Sequence, residues 1–196
     1  KKLFITGKGR GNLTNSCEEE QFFSHFLRNP RFIYPAFRAL SNRDLMDFIE
    51  KNGCALKEER GGRIFPVSNK AYSLTDALKS ALKKYAVKVE CNQTLKVIKR
   101  KEEGFLCRIG NKEIDTKKLI LATGGLSYPS TGSTGDGYRF AKELSIPVTK
   151  LYPSLVKMEV LEEDIFSLSG LKLKHIVASV EDEKGKVYGK KKGELY

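Results

Sequence analysis

Apolar residues recur along this chain in two rhythms, one helical and one alternating, and the changes between them predict its elements. The opening "KKLFIT" has the pattern of a short strand and breaks at once into "GKGRGNLTNS". Residues 17–52 read as helical pieces. The first, "EEEQFFSHFL", has Ser16 as its expected N-cap and Glu18, Glu19 and Glu20 in the first turn, where carboxylates favour the positive end of the helix. Asn29-Pro30 breaks the run, and "SNRDLMDFIEKNG" follows with Ser41 as cap and Gly53 as stop. Gly61-Gly62 centres a short β-ribbon. After the loop "FPVSNKAYS" comes a helix that Ser73 or Thr75 can cap, with Leu74, Ala77, Leu78, Ala81 and Leu82 on its buried face. "VKVEC" reads as a short strand. A β-meander over about 95–121 turns at Glu103-Gly104 and Gly110-Asn111 and closes in a buried apolar strand, "KLILAT". A helix, "YRFAKELS", ends before Pro147. From there "VTKLYPSLVKMEV" and "LKLKHIVASVEDEKGKVYG" alternate like strands, the latter as a hairpin turning at Lys184-Gly185. The order predicts an α/β layer over 1–150, carrying the helical segment and the meander, and the beginning of a β-rich domain over 151–196.

Composition narrows the class without naming an activity. With 40% hydrophobic and 31% charged residues the chain reads as a soluble globular protein. Its apolar runs are too short for a bilayer and no leader opens it, so a cytoplasmic protein with no membrane partner is expected. Cys17, Cys54, Cys91 and Cys107 form no close pair, which argues against a disulfide framework or a zinc site. His25 and His175 stand without partner ligands, so no metal is expected, and His25 reads as a helix residue beside a core stripe of Phe22, Phe23 and Phe26. The net charge of +12 raises nucleic acid as a partner, but the basic residues are interspersed with acids and no nucleic-acid module is present. A solvated basic surface and no specific nucleic acid are therefore expected. The chain begins at Lys1 and ends on "KKKGELY", and both ends read as cut.

Two glycine clusters carry the candidate chemistry. The first, Gly7, Gly9 and Gly11, has the wrong spacing for a dinucleotide fingerprint, which needs G-x-G-x-x-G opening directly into a helix. The second follows the apolar strand. Gly124 and Gly125 lie at its carboxyl end, where open α/β sheets bind ligands, and Gly135-Asp136-Gly137 immediately precedes a helix, whose amides suit an electron-rich group. Asp136 can accept from a sugar hydroxyl or cap its own helix.

Three stretches, "KKLFITGKGRGNLTNS", "GRIFPVSNKAYSLTDAL" and "LILATGGLSYPSTGSTGDGYRFAKEL", in this order and at these separations, resemble a bacterial flavoprotein family. That family includes aminoacetone-oxidase-like enzymes and bile-acid dehydratase-type NAD(P)/FAD-dependent oxidoreductases. The resemblance covers essentially the whole chain and implies a partial Rossmann-like FAD-binding domain, the middle of a longer protein. By position, Ala122, Thr123, Gly124 and Gly125 match the strand end near the flavin's phosphate and ribityl region. Leu95 matches the position whose backbone meets the adenine. Gly9, Arg10, Gly11 and Asn12 match the loop lying along the cofactor, and Gly61 to Pro66 match a substrate-side segment in which Arg63 can orient an anion or carbonyl. The family usually has Cys where this chain has Gly11. The implied activity is hydride transfer through FAD to or from a small-molecule substrate, with NAD(P)H among the reductants it allows. The rival readings are a non-catalytic flavin- or nucleotide-binding module and a basic nucleic-acid-binding protein. No catalytic acid or base is assigned.

Overall fold

The computed structural model describes residues 1–26, 28–153, 167–168, 170–171 and 173–195. The chain divides into two units, Lys1–Thr149 and Lys150–Tyr196. Within the first unit, tight 3-10 turns over Lys2–Gly9 lead to β1 (Thr14–Asn15), α1 (Glu19–Ser24), a 3-10 turn at Pro30–Ile33, α2 (Tyr34–Ala39) and α3 (Asn42–Lys51). The ribbon β2 (Leu56–Glu59) and β3 (Arg63–Pro66) follows, then α4 (Ala71–Lys84), the meander β4 (Leu95–Lys101), β5 (Gly104–Ile109) and β6 (Lys112–Thr116), and α5 (Asp136–Glu143). The second unit holds a hairpin of β7 (Leu173–Glu181) and β8 (Val187–Leu195). The fold is mixed α/β, and every ladder among the described residues is antiparallel.

Two apolar clusters organise the first unit. Ile49 of α3, Cys54, and Leu74 and Ala77 of α4 form one, with Leu3, Leu13, Leu45, Phe48 and Leu56 packed around it. Ile98 of β4, Cys107 of β5 and Phe140 of α5 form the other, flanked by Leu95, Phe105, Leu119, Leu121 and Leu144. The expected cap of α3 is present as a reciprocal box: the Asp44 amide donates to Ser41 Oγ, and the Ser41 amide donates to Asp44 Oδ2. The hairpin turn is held by Asp182, whose Oδ1 accepts from the Lys184 and Lys186 amides.

Several expected features differ. "KKLFIT" is not a strand: the Thr6 hydroxyl closes back on the Leu3 carbonyl at 2.8 Å, and Leu3 packs into the first cluster. Ser16 does not cap α1, because its amide donates to the Gly62 carbonyl at 2.7 Å and continues the pairing of β1 with the ribbon. Glu18 takes the cap position. Neither Ser73 nor Thr75 caps α4. Lys70 holds the cap position without a side-chain cap, and its own amide donates to Ser68 Oγ at 3.3 Å. Leu78 and Leu82 are exposed at 38%, so its buried face is the narrower row Ala71, Leu74, Ala77 and Ala81.

"VKVEC" forms no strand: the Val87 amide donates back to the Leu82 carbonyl at 2.9 Å, and the run enters no ladder among the described residues. The meander ends at Thr116. "KLILAT" keeps the strand's alternation, with Leu119 and Leu121 turned into the second cluster and Ile120 88% exposed, but it enters no ladder among the described residues. The alternation expected over "VTKLYPSLVKMEV" falls largely on 154–160, outside the described residues. No helix among the described residues is long and apolar enough to cross a membrane.

Candidate functional site

The three motifs singled out in the sequence lie within the first unit and touch. The loop after Gly9 runs onto the ribbon: the Leu13 amide donates to the Ile64 carbonyl at 2.9 Å, and Thr14 and Asn15 pair with Ile64 and Arg63. Arg10 lies 4.1 Å over the ring of buried Phe65 and donates from Nη1 to both Glu59 oxygens, at 2.9 and 3.1 Å. The N-terminal turns reach the second glycine cluster through Lys2 Nζ, which donates to the Ser127 carbonyl at 2.7 Å.

The second cluster is a closed loop. The Gly135 amide donates to the Gly125 carbonyl at 3.2 Å, so residues 126–134 leave and return at one point. The helix start then packs directly on the extended segment. A Cβ on Gly137 would stand 2.8 Å from Thr123 Oγ1, and one on Gly124 would stand 3.0 Å from Oγ of buried Ser133. Gly135, at φ +82, precedes the first helical residue. Asp136 is thus not the cap of α5 but lies in its first turn, where its carboxylate accepts from Thr134 Oγ1 at 3.0 Å and pairs with Arg139 at 3.4 Å. Ala122, Thr123 and Gly124 are exposed.

The other candidates divide by environment. Gly9 is exposed, and the nearest atom to a Cβ there is the Phe4 carbonyl oxygen at 3.7 Å. Gly11 is buried against α4. Asn12 Oδ1 is buried and has no hydrogen-bond partner. Leu95 starts β4 opposite Ile109 with its side chain in the second cluster. Arg63 is exposed, with Nε donating to the Arg60 carbonyl at 3.1 Å. Among the described residues no group of His, Cys, Asp and Glu can hold a metal ion.

Reasoning from the sequence missed Glu59, which fixes Arg10, and the polar row Gln21 and His25. The signal for that row was present as i,i+4 spacing beside the aromatic pair Phe22 and Phe26. His25 itself is exposed rather than set against the core, and only Phe23 of that stripe is fully buried.

The hydrogen bond from Arg10 holds the Glu59 carboxyl below the usual carboxylate range, helped by Lys57. A lowered folded-state value means that the pair's contribution is present above the ordinary value of 4.5 and is lost as pH falls through the folded one. Glu59→Gln is therefore expected to keep the fold at neutral pH and to flatten part of the acid limb of a thermal-midpoint against pH curve. An unchanged acid limb would remove Glu59 from that account.

The chain is 28% identical over 180 residues to the 3-dehydro-bile acid delta(4,6)-reductase of Clostridium scindens, a match covering 92% of this chain and 43% of that one. It is 32% identical over 180 residues to the ribosomal RNA dihydrouridine synthase of Haemophilus influenzae, covering 88% of this chain and 44% of that one. Against the ribosomal RNA dihydrouridine synthase of Escherichia coli it is 27% identical over 191 residues, covering 96% and 46%. The chain thus spans less than half the length of these curated relatives. The profile of the HI0933-like protein Rossmann domain matches residues 1–189, which makes the fold class Rossmann-like. By that match the chain belongs to the HI0933-like Rossmann domain family.

Proposed function

We propose that this chain is part of an FAD-dependent reductase that adds hydrogen across a carbon–carbon double bond conjugated to a ring carbonyl. The observation that supports the reading is that its three motifs touch one another within the first unit, through Lys2 with Ser127 and Arg10 with Glu59 and Phe65. The relatives' names support the chemistry. A delta(4,6)-reductase of a 3-dehydro compound and a dihydrouridine synthase both saturate a double bond conjugated to a carbonyl.

The residues fit FAD through open backbone rather than through a glycine cradle. Exposed Ala122–Gly124 enters no ladder among the described residues, the amides of Asp136 and Gly137 head α5, and exposed Gly9 has no atom of the chain closer than 3.7 Å to where a Cβ would stand. Asn12 Oδ1 is a buried acceptor still lacking a donor. Gly11, Gly124, Gly135 and Gly137 contribute differently, because the space beside each is filled by this chain's own atoms.

When bound, FAD supplies the hydride. This chain's part is orientation. Arg10, neutralised by Glu59, stiffens the loop instead of attracting an anion, and exposed Arg63 is the candidate for holding the substrate's carbonyl or a charged group. A nicotinamide donor of the NAD(P)H class is the proposed reductant. The test is redox behaviour: the full-length protein should purify with FAD, and its reduced flavin should be reoxidised without oxygen by a conjugated ring carbonyl. A full-length protein that holds no flavin after reconstitution would overturn the reading.

A further inference from the structure

We infer that Ser133 and the first amides of α5 hold a sugar hydroxyl of the cofactor, a site that rests on the FAD reading proposed above. Ser133 lies near the end of the loop that the Gly135 amide closes on the Gly125 carbonyl. It is 6% exposed, yet its hydroxyl makes no hydrogen bond to any described residue. Among the described residues only Asn12 Oδ1 is both unpartnered and fully enclosed, so Ser133 Oγ keeps an opening. Packing therefore fixes the side chain and leaves its polar atom reachable and without a partner.

The start of α5 meets the same residue that Ser133 meets. A Cβ on Gly124 would lie 3.0 Å from Ser133 Oγ, so the hydroxyl stands against the backbone where the extended segment ends. A Cβ on Gly137 would lie 2.8 Å from Thr123 Oγ1 and 3.9 Å from the Gly124 carbonyl oxygen. The amides of Asp136 and Gly137 donate to nothing among the described residues, as expected of a first helical turn. A hydroxyl and two unused N–H groups are thus gathered about exposed Gly124.

Charge selects the ligand. Arg139 pairs with Asp136 at 3.4 Å and with Glu143 at 2.7 Å, so two carboxylates share one guanidinium and an acidic excess remains on α5. A phosphate there would meet like charge, and Asp136 already holds the favourable end of the helix dipole. A sugar hydroxyl is neutral, accepts from an amide, and can donate to Ser133 Oγ or accept from it. Asp136 is engaged elsewhere, because Oδ2 accepts from Thr134 Oγ1 at 3.0 Å and Oδ1 from Arg139 Nη2 at 3.4 Å. The free hydroxyl beside the helix start is that of Ser133.

The test uses the full-length protein, stripped of flavin and titrated with FAD while flavin fluorescence is followed. Ser133→Ala is expected to weaken FAD binding about three- to tenfold, the effect of one hydrogen bond. The thermal midpoint of the flavin-free variant should stay at the wild-type value, since alanine fits the same space and no protein partner is lost. Ser133→Cys keeps the size with a weaker donor, so its affinity should fall between the two. Inorganic pyrophosphate should compete equally well against FAD in the wild type and in Ser133→Ala; a loss shared with pyrophosphate would assign the site to phosphate and refute the hydroxyl. The loss should carry over to ADP as competitor if the hydroxyl is on the ribose, and to FMN if it is on the ribityl chain. A loss with neither, unchanged FAD affinity, or a loss matched by a lower midpoint of the flavin-free protein would overturn this site and leave the reductase reading standing. A wild-type protein that takes up no FAD would overturn that reading and the site with it. Ser133-dependent FAD binding without reoxidation by any conjugated ring would support the site and contradict the reductase.

Discussion

Gly11→Cys is expected to destabilise the first unit by about 2–6 kcal/mol, from roughly 1–3 of left-handed backbone strain and 1–3 of overpacking. Gly11 has φ +79, and a Cβ there would lie 2.9 Å from Ala71 Cα and 3.0 Å from Leu74 Cδ1. Both neighbours belong to α4, and Leu74 is fully buried in the first cluster, so neither yields without moving the helix. Gly9→Ala is the control, since it carries the positive φ, but its Cβ would meet nothing closer than the Phe4 carbonyl oxygen at 3.7 Å. Urea midpoints should therefore fall much further for Gly11→Cys than for Gly9→Ala. Equal losses would mean that strain alone explains Gly11. Gly11 is small because α4 is close, whereas the space beside Gly9 is open.

Phe140→Ala is expected to cost about 3–5 kcal/mol, the usual range for removing a fully buried aromatic side chain. Phe140 is 1% exposed and packs with Ile98 and Cys107, so it is the side chain that seats α5 on the meander. Its loss should also reach the site, because the seat of α5 sets where Gly135–Gly137 meets Thr123 and Gly124. Ile98→Ala, in the same cluster but on β4, should cost about 2–5 kcal/mol and spare that junction. In the full-length protein, FAD occupancy at matched stability should fall more for Phe140→Ala. Equal occupancy would detach α5 from cofactor binding.

The parts of the fold that local chemistry determines were legible in the sequence. Ser41 and Asp44 cap α3 within one turn of chain, Gly61-Gly62 turns its ribbon, and the meander's turns adjoin its strands. For "VKVEC" and "KLILAT" alternation gives the two faces of an extended segment but not the neighbour that completes its hydrogen bonds, whereas the apolar residues of "KKLFIT" belong to tight 3-10 turns rather than to an extended segment. At "KLILAT" the inward leucines were right and the ladder was not found among the described residues. The site follows the same division. Glycine-rich sequence marks where backbone turns back or comes close, yet whether the close neighbour is a ligand or α4 depends on tertiary packing. The Arg10–Glu59 pair spans 49 positions, and no local spacing encodes it.

The most direct test of the proposed reductase is an anaerobic one on the full-length protein carrying FAD. Its flavin is first reduced by a nicotinamide or by dithionite, and the visible spectrum is then followed after mixing with a uridine-containing oligonucleotide or a conjugated ketosteroid. The account predicts reoxidation of the flavin at a saturable rate by a conjugated ring, with one saturated product formed per flavin, and none with the already saturated analogue. Flavin that stays reduced with both ring classes, or that reoxidises equally with the saturated analogue, would contradict it.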